Sequence, residues 1–214
     1  VFGLELGNPL ARLSARPTAP VQLSSQSLEF RLLVRKIQLL AQISEQELAK
    51  HPRLLLSRGQ IFIHDLGELD LAETYFQQAE KQFRRQDNLV GVAEAQVWRS
   101  IHLRMMGQTA EALALANRAL EQLEVLGADE RLIAWAMRRR ASMRAVTGDL
   151  PGALGDLRRA LELFEKLGDT YNVGQCHQDI GVSLEQQGNV SGAEHHYRQA
   201  FRISETLGNS FDLA

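Results

Sequence analysis

Two histidine-containing pairs are the residues of this 214-residue chain whose types and spacing could do chemistry. His195 and His196 could bind a metal or respond to pH, and Cys176 with His177 could form a nucleophilic dyad. Neighbours on a helix point about 100° apart, so neither pair converges on one atom. We therefore predict solvated or partly buried helix histidines, a buried thiol and no metal site. A metal-binding or pH-sensing role for the two adjacent histidines is the alternative.

Signatures of enzymes and cofactor sites are missing from the sequence. The "GALG" stretch at Gly152 to Gly155 lacks the lysine and the preceding strand that a phosphate loop needs. Neither HExxH nor GxSxG occurs. We predict no catalytic residues, no enzyme activity and no cofactor.

A cluster of arginines lies in "MRRRASMR", residues 137–144. Three consecutive arginines, Arg138, Arg139 and Arg140, span about 200° of a helix and cannot form one patch. We expect them to be solvated or paired with Asp or Glu on neighbouring helices. Contact with an anion or an acidic peptide is the alternative, and nucleic acid is least favoured because no aromatics are interleaved.

Composition narrows the function classes further. The chain has 24 Lys and Arg against 26 Asp and Glu, a net charge of −2, with 44% apolar and 23% charged residues. This is ordinary globular composition, without the basic excess of a nucleic-acid-binding protein. One cysteine excludes a disulfide framework. No apolar run approaches the length of a membrane span and no signal peptide is present, so we predict a cytoplasmic protein without membrane contact.

A repeat of about 40 residues organises the chain. Gly67, Gly107, Gly148 and Gly188 are spaced by 40, 41 and 40 residues. Glycine tolerates the left-handed conformation that ends a helix, and a polar residue after it can cap the next helix. Each period therefore predicts two helices. A second glycine closes the period at Gly127, Gly168 and Gly208, and its equivalent near Asp87 is missing. Alanines stand five and twelve residues after each of the first set of glycines: Ala72 and Ala79, Ala112 and Ala119, Ala153 and Ala160, Ala193 and Ala200.

This pattern resembles the tetratricopeptide repeat (TPR) in its 40-residue form, over about residues 53–214. Ser100, Ala141 and Gly181 supply the small residue seven before the turn glycine. The first repeat departs, with Gln60 at that position and Gly59 beside it, which predicts a first helix shifted by one residue. The resemblance implies an all-α, right-handed superhelical solenoid of antiparallel helix pairs. Stacked pairs in such a solenoid share one continuous core. Arg99 and Arg140 stand where the family usually has leucine.

Domain organisation follows from the repeat. We expect a linker or irregular segment at 1–23, helices packing on the array at 24–52, and four repeats at 53–208. The four repeats span about 53–87, 88–127, 128–168 and 169–208. Residues 209–214 would begin a truncated further helix, so we expect a fragment of a longer protein. Uncapped end repeats could produce a homo-oligomer.

A more specific resemblance lies at the start of the array. "LAKHPRLLLSRG" feeding into "GELDLAETYFQQAE" is similar to the helical domain of large ATP-dependent LuxR-type transcriptional activators, the maltotriose-activator-like proteins. In those proteins an NTPase module precedes the helical array and a helix-turn-helix binds DNA. The resemblance implies a module of a bacterial signal-responsive transcription regulator. The alternative is a free-standing TPR scaffold for protein assembly.

The TPR resemblance also implies where a ligand would bind. The first helices of the pairs line a concave face, at positions 13, 10, 6 and 3 before the turn glycine. Trp135 beside Arg104 and Arg138 suits a peptide with acidic and apolar groups, or a small polar effector. The alternative is that Trp135 covers a seam between helices. We expect a protein, peptide or small effector in this groove and no direct nucleic-acid contact. The predicted lining residues are Glu94, Val97, Ile101, Arg104, Trp135, Arg138, Ser142, Ala145, Gln175, Gln178, Val182 and Glu185.

Overall fold

The computed structural model describes residues 39–40, 42–63 and 68–212, and within these ranges the chain forms nine helices and no strand. The predicted all-α fold class is therefore confirmed. Residues 1–23, most of 24–52, the turn glycine at position 67 and the last two residues lie outside the described residues. The helices are α1 Glu45–Leu48, α2 Pro52–Ile61, α3 Leu69–Arg85, α4 Leu89–Met105, α5 Thr109–Val125, α6 Glu130–Val146, α7 Leu150–Lys166, α8 Thr170–Gln186 and α9 Val190–Asp212.

The chain divides into two compact units, residues Val1–Gln82 and Phe83–Ala214. In the first unit α2 begins at Pro52, where the missing N–H costs no helical hydrogen bond. A Cβ built on Gly59 of α2 would lie 2.4 Å from the ring of Phe76 on α3. Gly59, not Gln60, is therefore the small residue that lets these helices approach. The predicted one-residue shift of the first repeat is confirmed.

In the second unit consecutive helices from α4 to α9 pack against each other. The pairs α4–α5, α6–α7 and α8–α9 make the most extensive contacts, and the first helices α4, α6 and α8 also contact one another in sequence. The repeated small residues permit this close packing, since Ser100, Ala141 and Gly181 are all buried. The alanines of the repeat are buried too, except Ala200, which is half-buried.

The turns between helices follow the predicted glycine chemistry. Gly107, Gly127, Gly148, Gly168 and Gly188 all adopt positive φ, between 60° and 87°. The residue after each donates its N–H to the carbonyl five residues earlier, which satisfies the free carbonyls at the helix end. Where the glycine is missing the same turn forms, with Asp87 at a φ of 52°. Aspartate is among the few residues that tolerate this conformation.

The end of the last repeat differs from the sequence expectation. Gly208 does not end a helix, because α9 runs continuously from Val190 to Asp212. A glycine permits a left-handed turn but does not impose one. The further helix expected at 209–214 is therefore the continuation of α9 as far as Asp212.

Candidate binding groove

The first helices α4, α6 and α8 share a surface, here called the A-face, that carries the predicted lining residues. Two of these residues lie beneath it: Val97 is 1% exposed and Ile101 is 3% exposed. Val97 belongs to the core cluster that also includes Ala119 and Met137. The side chains of Val97 and Ile101 therefore lie beneath the A-face and do not line it.

Arg138 is also withdrawn from the surface, with 7% exposure. Its Nε donates a hydrogen bond to Asp179 at 2.7 Å, and its terminal nitrogen donates to the Oε1 of Gln175 at 2.9 Å. Both partners lie on α8, so Arg138 ties α6 to α8. Its charge is therefore paired within the protein, at a position where the sequence predicted a contact with a ligand.

Trp135 joins α6 to α4 on the same surface. Its ring centroid lies 4.9 Å from that of Trp98, with the planes tilted by 41°. Trp98 is nearly buried, whereas Trp135 is half-buried. Trp135 thus covers the seam between two helices and still presents part of an aromatic surface to solvent.

Arg139 lies over Trp135, its Cζ 5.6 Å from the ring centroid. Its Nε is buried and has no hydrogen-bond partner among the described residues. Burial, together with the positive charges of Arg138 and Arg104, lowers the pKa of the Arg139 guanidinium to about 10, while Asp179 opposes this shift. Asp179, the carboxylate that opposes this shift, is already paired with Arg138.

The remaining predicted residues lie at or near the edge of the A-face. Gln178 and Val182 on α8 are exposed, and the half-buried residues are Ser142, Ala145, Glu94, Arg104 and Gln175. Glu185 is exposed and accepts a hydrogen bond from the hydroxyl of Tyr197 on α9 at 2.7 Å. Glu185 therefore belongs to the junction of α8 and α9 as much as to the A-face.

Three residues of this surface were not predicted: Trp98, Arg139 and Asp179. Each stands nine residues before a turn glycine, one position from the residues that the family pattern supplied. On the helix surface, the position nine residues before the glycine lies between the positions 13 and six residues before it, and all three share one face. The repeat itself therefore contained the signal that could have found them.

The other side of α6 uses its arginines differently. Arg140 makes a two-point contact with Asp156 on α7, through Nε at 2.8 Å and a terminal nitrogen at 2.6 Å. Arg144 reaches the same carboxylate at 3.0 Å. Asp156 is buried, so this triad lies within the contact between α6 and α7. Arg140 occupies the position at which the TPR pattern usually has a leucine. The prediction that the cluster pairs with neighbouring acidic residues holds for Arg138, Arg140 and Arg144, but not for Arg139.

The histidines form a contact that the sequence did not reveal. The Nδ1 atoms of His177 on α8 and His196 on α9 lie 2.9 Å apart, and both rings are partly buried. Burial lowers the pKa of both imidazoles. Cys176 points into the core, where burial raises the pKa of its thiol to about 12. No group of three potential metal ligands comes together in the part of the chain that the structure describes.

A second surface feature lies on α9, away from α4 and α6. An open depression of about 560 Å³ runs along this helix, between Val190 and Glu205. Val190 and Phe201 are both more than half exposed there. In the ranges described, none of the helices is long and apolar enough to cross a bilayer.

Comparisons with known proteins agree with this architecture. Residues 132–206 match the tetratricopeptide repeat family. No curated protein matches the chain in sequence. The fold is similar to that of BtubC (BKLC) from P. vanneervenii, which is 17% identical with a TM-score of 0.62, over 84% of this chain and 74% of that chain.

Two further solved structures are similar. Aspartyl phosphate phosphatase F from Bacillus subtilis is 12% identical with a TM-score of 0.67, over 83% of this chain and 49% of that chain. The apo form of RapI is 17% identical with a TM-score of 0.61, over 82% of this chain and 50% of that chain. The match thus spans about half the length of these two proteins. At such identities the similarity shows the fold, which is all-helical and TPR-like, with tetratricopeptide repeats matched at residues 132–206.

Proposed function

We propose that this chain is a protein- or effector-binding TPR module whose A-face receives a segment of a partner protein or peptide. The A-face combines a half-buried tryptophan, arginines and exposed amide and apolar side chains. Binding surfaces are enriched in these types, with tryptophan and arginine prominent among the residues that contribute most to affinity. The module itself supplies recognition, and any chemistry would belong to its partners.

The observation that carries this proposal is the position of Trp135. It packs against Trp98 with the ring planes tilted by 41° and lies under Arg139, so contacts within the protein already restrict its side chain. A fixed aromatic surface loses little conformational entropy on binding. Gln178 and Val182 on α8 extend the same surface with groups that can hydrogen-bond and pack.

A peptide-display selection on the purified chain tests the proposal. Selected peptides are expected to lose at least about tenfold in affinity with Trp135→Ala, as for other central aromatic residues. The matched control is Phe201→Ala, which truncates an exposed aromatic on α9. Val182→Arg adds bulk to the A-face at an exposed site and serves if Trp135→Ala fails to fold. Peptides that are insensitive to Trp135→Ala and Val182→Arg would contradict the proposal.

We further propose that the module serves in a bacterial signal-responsive transcription regulator and acts in the cytoplasm. The support is the "HPRLLL" segment, where α2 begins, and its similarity to LuxR-type activators. Effector binding would shift the array between states, which requires unequal affinity for those states. Sequencing the reading frame on both sides tests this: an NTPase module and a helix-turn-helix on the same polypeptide support it. Their absence would favour the alternative, a free-standing scaffold.

Self-association is a second candidate, supported by the exposed apolar side chains of Val190 and Phe201 along α9. Phe201→Glu should then reduce the mass measured by light scattering if the chain forms a homo-oligomer through this surface. An unchanged monomeric mass for both proteins would remove this candidate.

A further inference from the structure

We infer that the histidine pair at the α8–α9 seam, His177 and His196, binds a divalent transition-metal ion, Cu²⁺ or the closely related Ni²⁺, through its two Nδ1 atoms. The site is separate from the A-face and does not depend on the proposed function. It gives a metal-binding role to one of the two adjacent histidines of α9, with a partner from the neighbouring helix in place of the neighbour in sequence.

The first argument is the way in which the two helices bring these rings together. His195 and His196 diverge because they are neighbours on one helix. His177 is 19 residues from His196 and lies on α8, which packs along α9, and the two Nδ1 atoms are 2.9 Å apart. Two ligands on a closely packed helix pair are held near each other before an ion arrives. Such preorganisation lowers the entropy that binding costs.

The second argument is the distance between the two nitrogen atoms. A metal ion bound by imidazole lies about 2.0–2.1 Å from the nitrogen. Two such bonds at a right angle place their nitrogens about 2.9 Å apart, whereas the tetrahedral angle places them about 3.3–3.4 Å apart. The observed 2.9 Å matches the right angle. Square-planar and tetragonal sites with nitrogen and oxygen ligands are typical of Cu²⁺ and Ni²⁺.

The hydrogen bond between the two rings holds one proton that the ion would replace. One Nδ1 donates and the other accepts, so the rings are in different tautomers. Movement of the shared proton to Nε2 of its own ring frees both Nδ1 lone pairs, and neither ring gains or loses a proton. Each ring must also turn, so that its lone pair leaves the line between the nitrogens. Both side chains are partly exposed, which leaves room for this turn and for entry of the ion.

The chain supplies two of the ligands to this ion. Among the residues that the structure describes, no third histidine, cysteine, aspartate or glutamate completes a group around the pair, so water fills the other positions. Cu²⁺ should bind more tightly than Ni²⁺ or Zn²⁺, because the affinity of such sites is highest for copper. An ion that joins α8 to α9 only in the folded chain should also raise the melting temperature.

Isothermal titration calorimetry with CuCl₂ and NiCl₂, on the chain without an affinity tag, tests this inference. The parent should bind one ion at the seam, with Cu²⁺ tighter than Ni²⁺. His177→Gln and His196→Gln should each weaken Cu²⁺ at least about tenfold, since even changes to the outer-shell partners of a metal ligand cost that much. The matched control is His195→Gln, which removes the exposed neighbouring imidazole and should keep the affinity.

Electron paramagnetic resonance separates ligation from an indirect effect on stability. The Cu²⁺ signal of the parent should show coupling to two imidazole nitrogens, and the signals of His177→Gln and His196→Gln should each show coupling to one. A Cu²⁺ affinity that is unchanged in both variants, or that is lost equally with His195→Gln, would overturn the inference. So would tighter binding of Zn²⁺ than of Cu²⁺. None of these measurements involves Trp135, so their outcome is independent of the peptide-display test.

Discussion

Two neighbouring arginines on α6 have opposite environments. Arg140 points to α7, where Asp156 accepts two of its hydrogen bonds within a buried triad. Arg139 points to the A-face, where its guanidinium lies on Trp135 and its Nε finds no hydrogen-bond partner in the part of the chain that the structure describes. The one-residue step along the helix turns the side chain by about 100° and moves it from one surface to the other.

The two arginines differ in what their charge contacts. The charge of Arg140 is paired within the protein, whereas the charge of Arg139 lies at a surface where a ligand could contact it. In the α6–α7 seam the charges are compensated within the protein, so changing them should alter stability. On the A-face Arg139 forms no ion pair with any of the described residues, so we expect its substitution to alter binding more than stability.

Asp156→Ala should produce the largest loss of stability. It leaves Arg140 and Arg144 facing the seam without their shared carboxylate, and breaking a buried ion pair in this way costs about 3 kcal/mol or more. Chemical denaturation measures the free energy of unfolding. The matched control, Glu162→Gln on the exposed side of α7, should change it little. Equal effects of the two substitutions would refute a structural role for the triad.

Gly181→Ala should destabilise the α8–α9 seam by about 1–3 kcal/mol, since overpacking displaces neighbouring groups. A Cβ at this position would lie 2.5 Å from the ring of Tyr197. Gly155→Ala, on an exposed part of α7 with open space around it, should instead stabilise the protein by about 1 kcal/mol. Thermal unfolding of both variants checks the contrast, and a Gly181→Ala variant as stable as the parent would break it.

Acidification should weaken the same seam by a smaller amount. Burial lowers the folded-state pKa of His177 and His196; the charges of His195 and Arg158 act in the same direction, and Glu165 partly opposes the shift at His177. The unfolded chain then binds more protons at low pH. Stability from the pair is present above the unfolded pKa of about 6.5 and is lost as pH falls through the folded pKa values.

The melting temperature, followed from pH 8 to pH 5, should fall by a few degrees because of this pair. A variant carrying His177→Gln and His196→Gln should lose that part of the pH dependence. His195→Gln, which removes an exposed imidazole next to the pair, should keep most of it. A double variant with the parent's pH profile would show that the pair does not titrate with unfolding.

Arg139→Gln should have the smallest effect on stability, less than about 1 kcal/mol. Its loss removes a cation–π contact of about 0.5–1 kcal/mol at a partly exposed site and relieves the repulsion with Arg138 and Arg104. Denaturant unfolding of Arg139→Gln beside Arg140→Gln measures the difference directly. A loss for Arg139→Gln as large as that for Arg140→Gln would mean that the A-face arginine is structural as well.

The sequence predicted the helix pairs because local rules act at fixed spacing. Glycine, polar caps and small residues recur every 40 residues, and each has its own conformational or packing consequence. The same local chemistry explains why Asp87 could replace a glycine, since aspartate tolerates the left-handed turn. Gly208 shows the converse, because a residue that permits a turn does not require one.

The partners of the arginines and histidines could not be predicted in the same way. Asp156 is 16 residues from Arg140 and Asp179 is 41 residues from Arg138, so each pairing depends on how the helices pack. Helical geometry alone showed that Arg138, Arg139 and Arg140 diverge, but not which one meets an acidic residue. The contact between His177 and His196 depends on packing for the same reason.

The most direct test of this division between a structural and a binding side of α6 is a thermal-shift measurement on the parent, Arg139→Gln and Arg140→Gln, each with and without a saturating peptide from the display selection. A ligand that binds the folded state raises the melting temperature. Arg140→Gln should melt at a lower temperature than the parent and keep the rise caused by the peptide. Arg139→Gln should melt close to the parent and lose that rise. A rise that survives Arg139→Gln, or disappears with Arg140→Gln, would contradict the division of α6 into a structural side and a binding side.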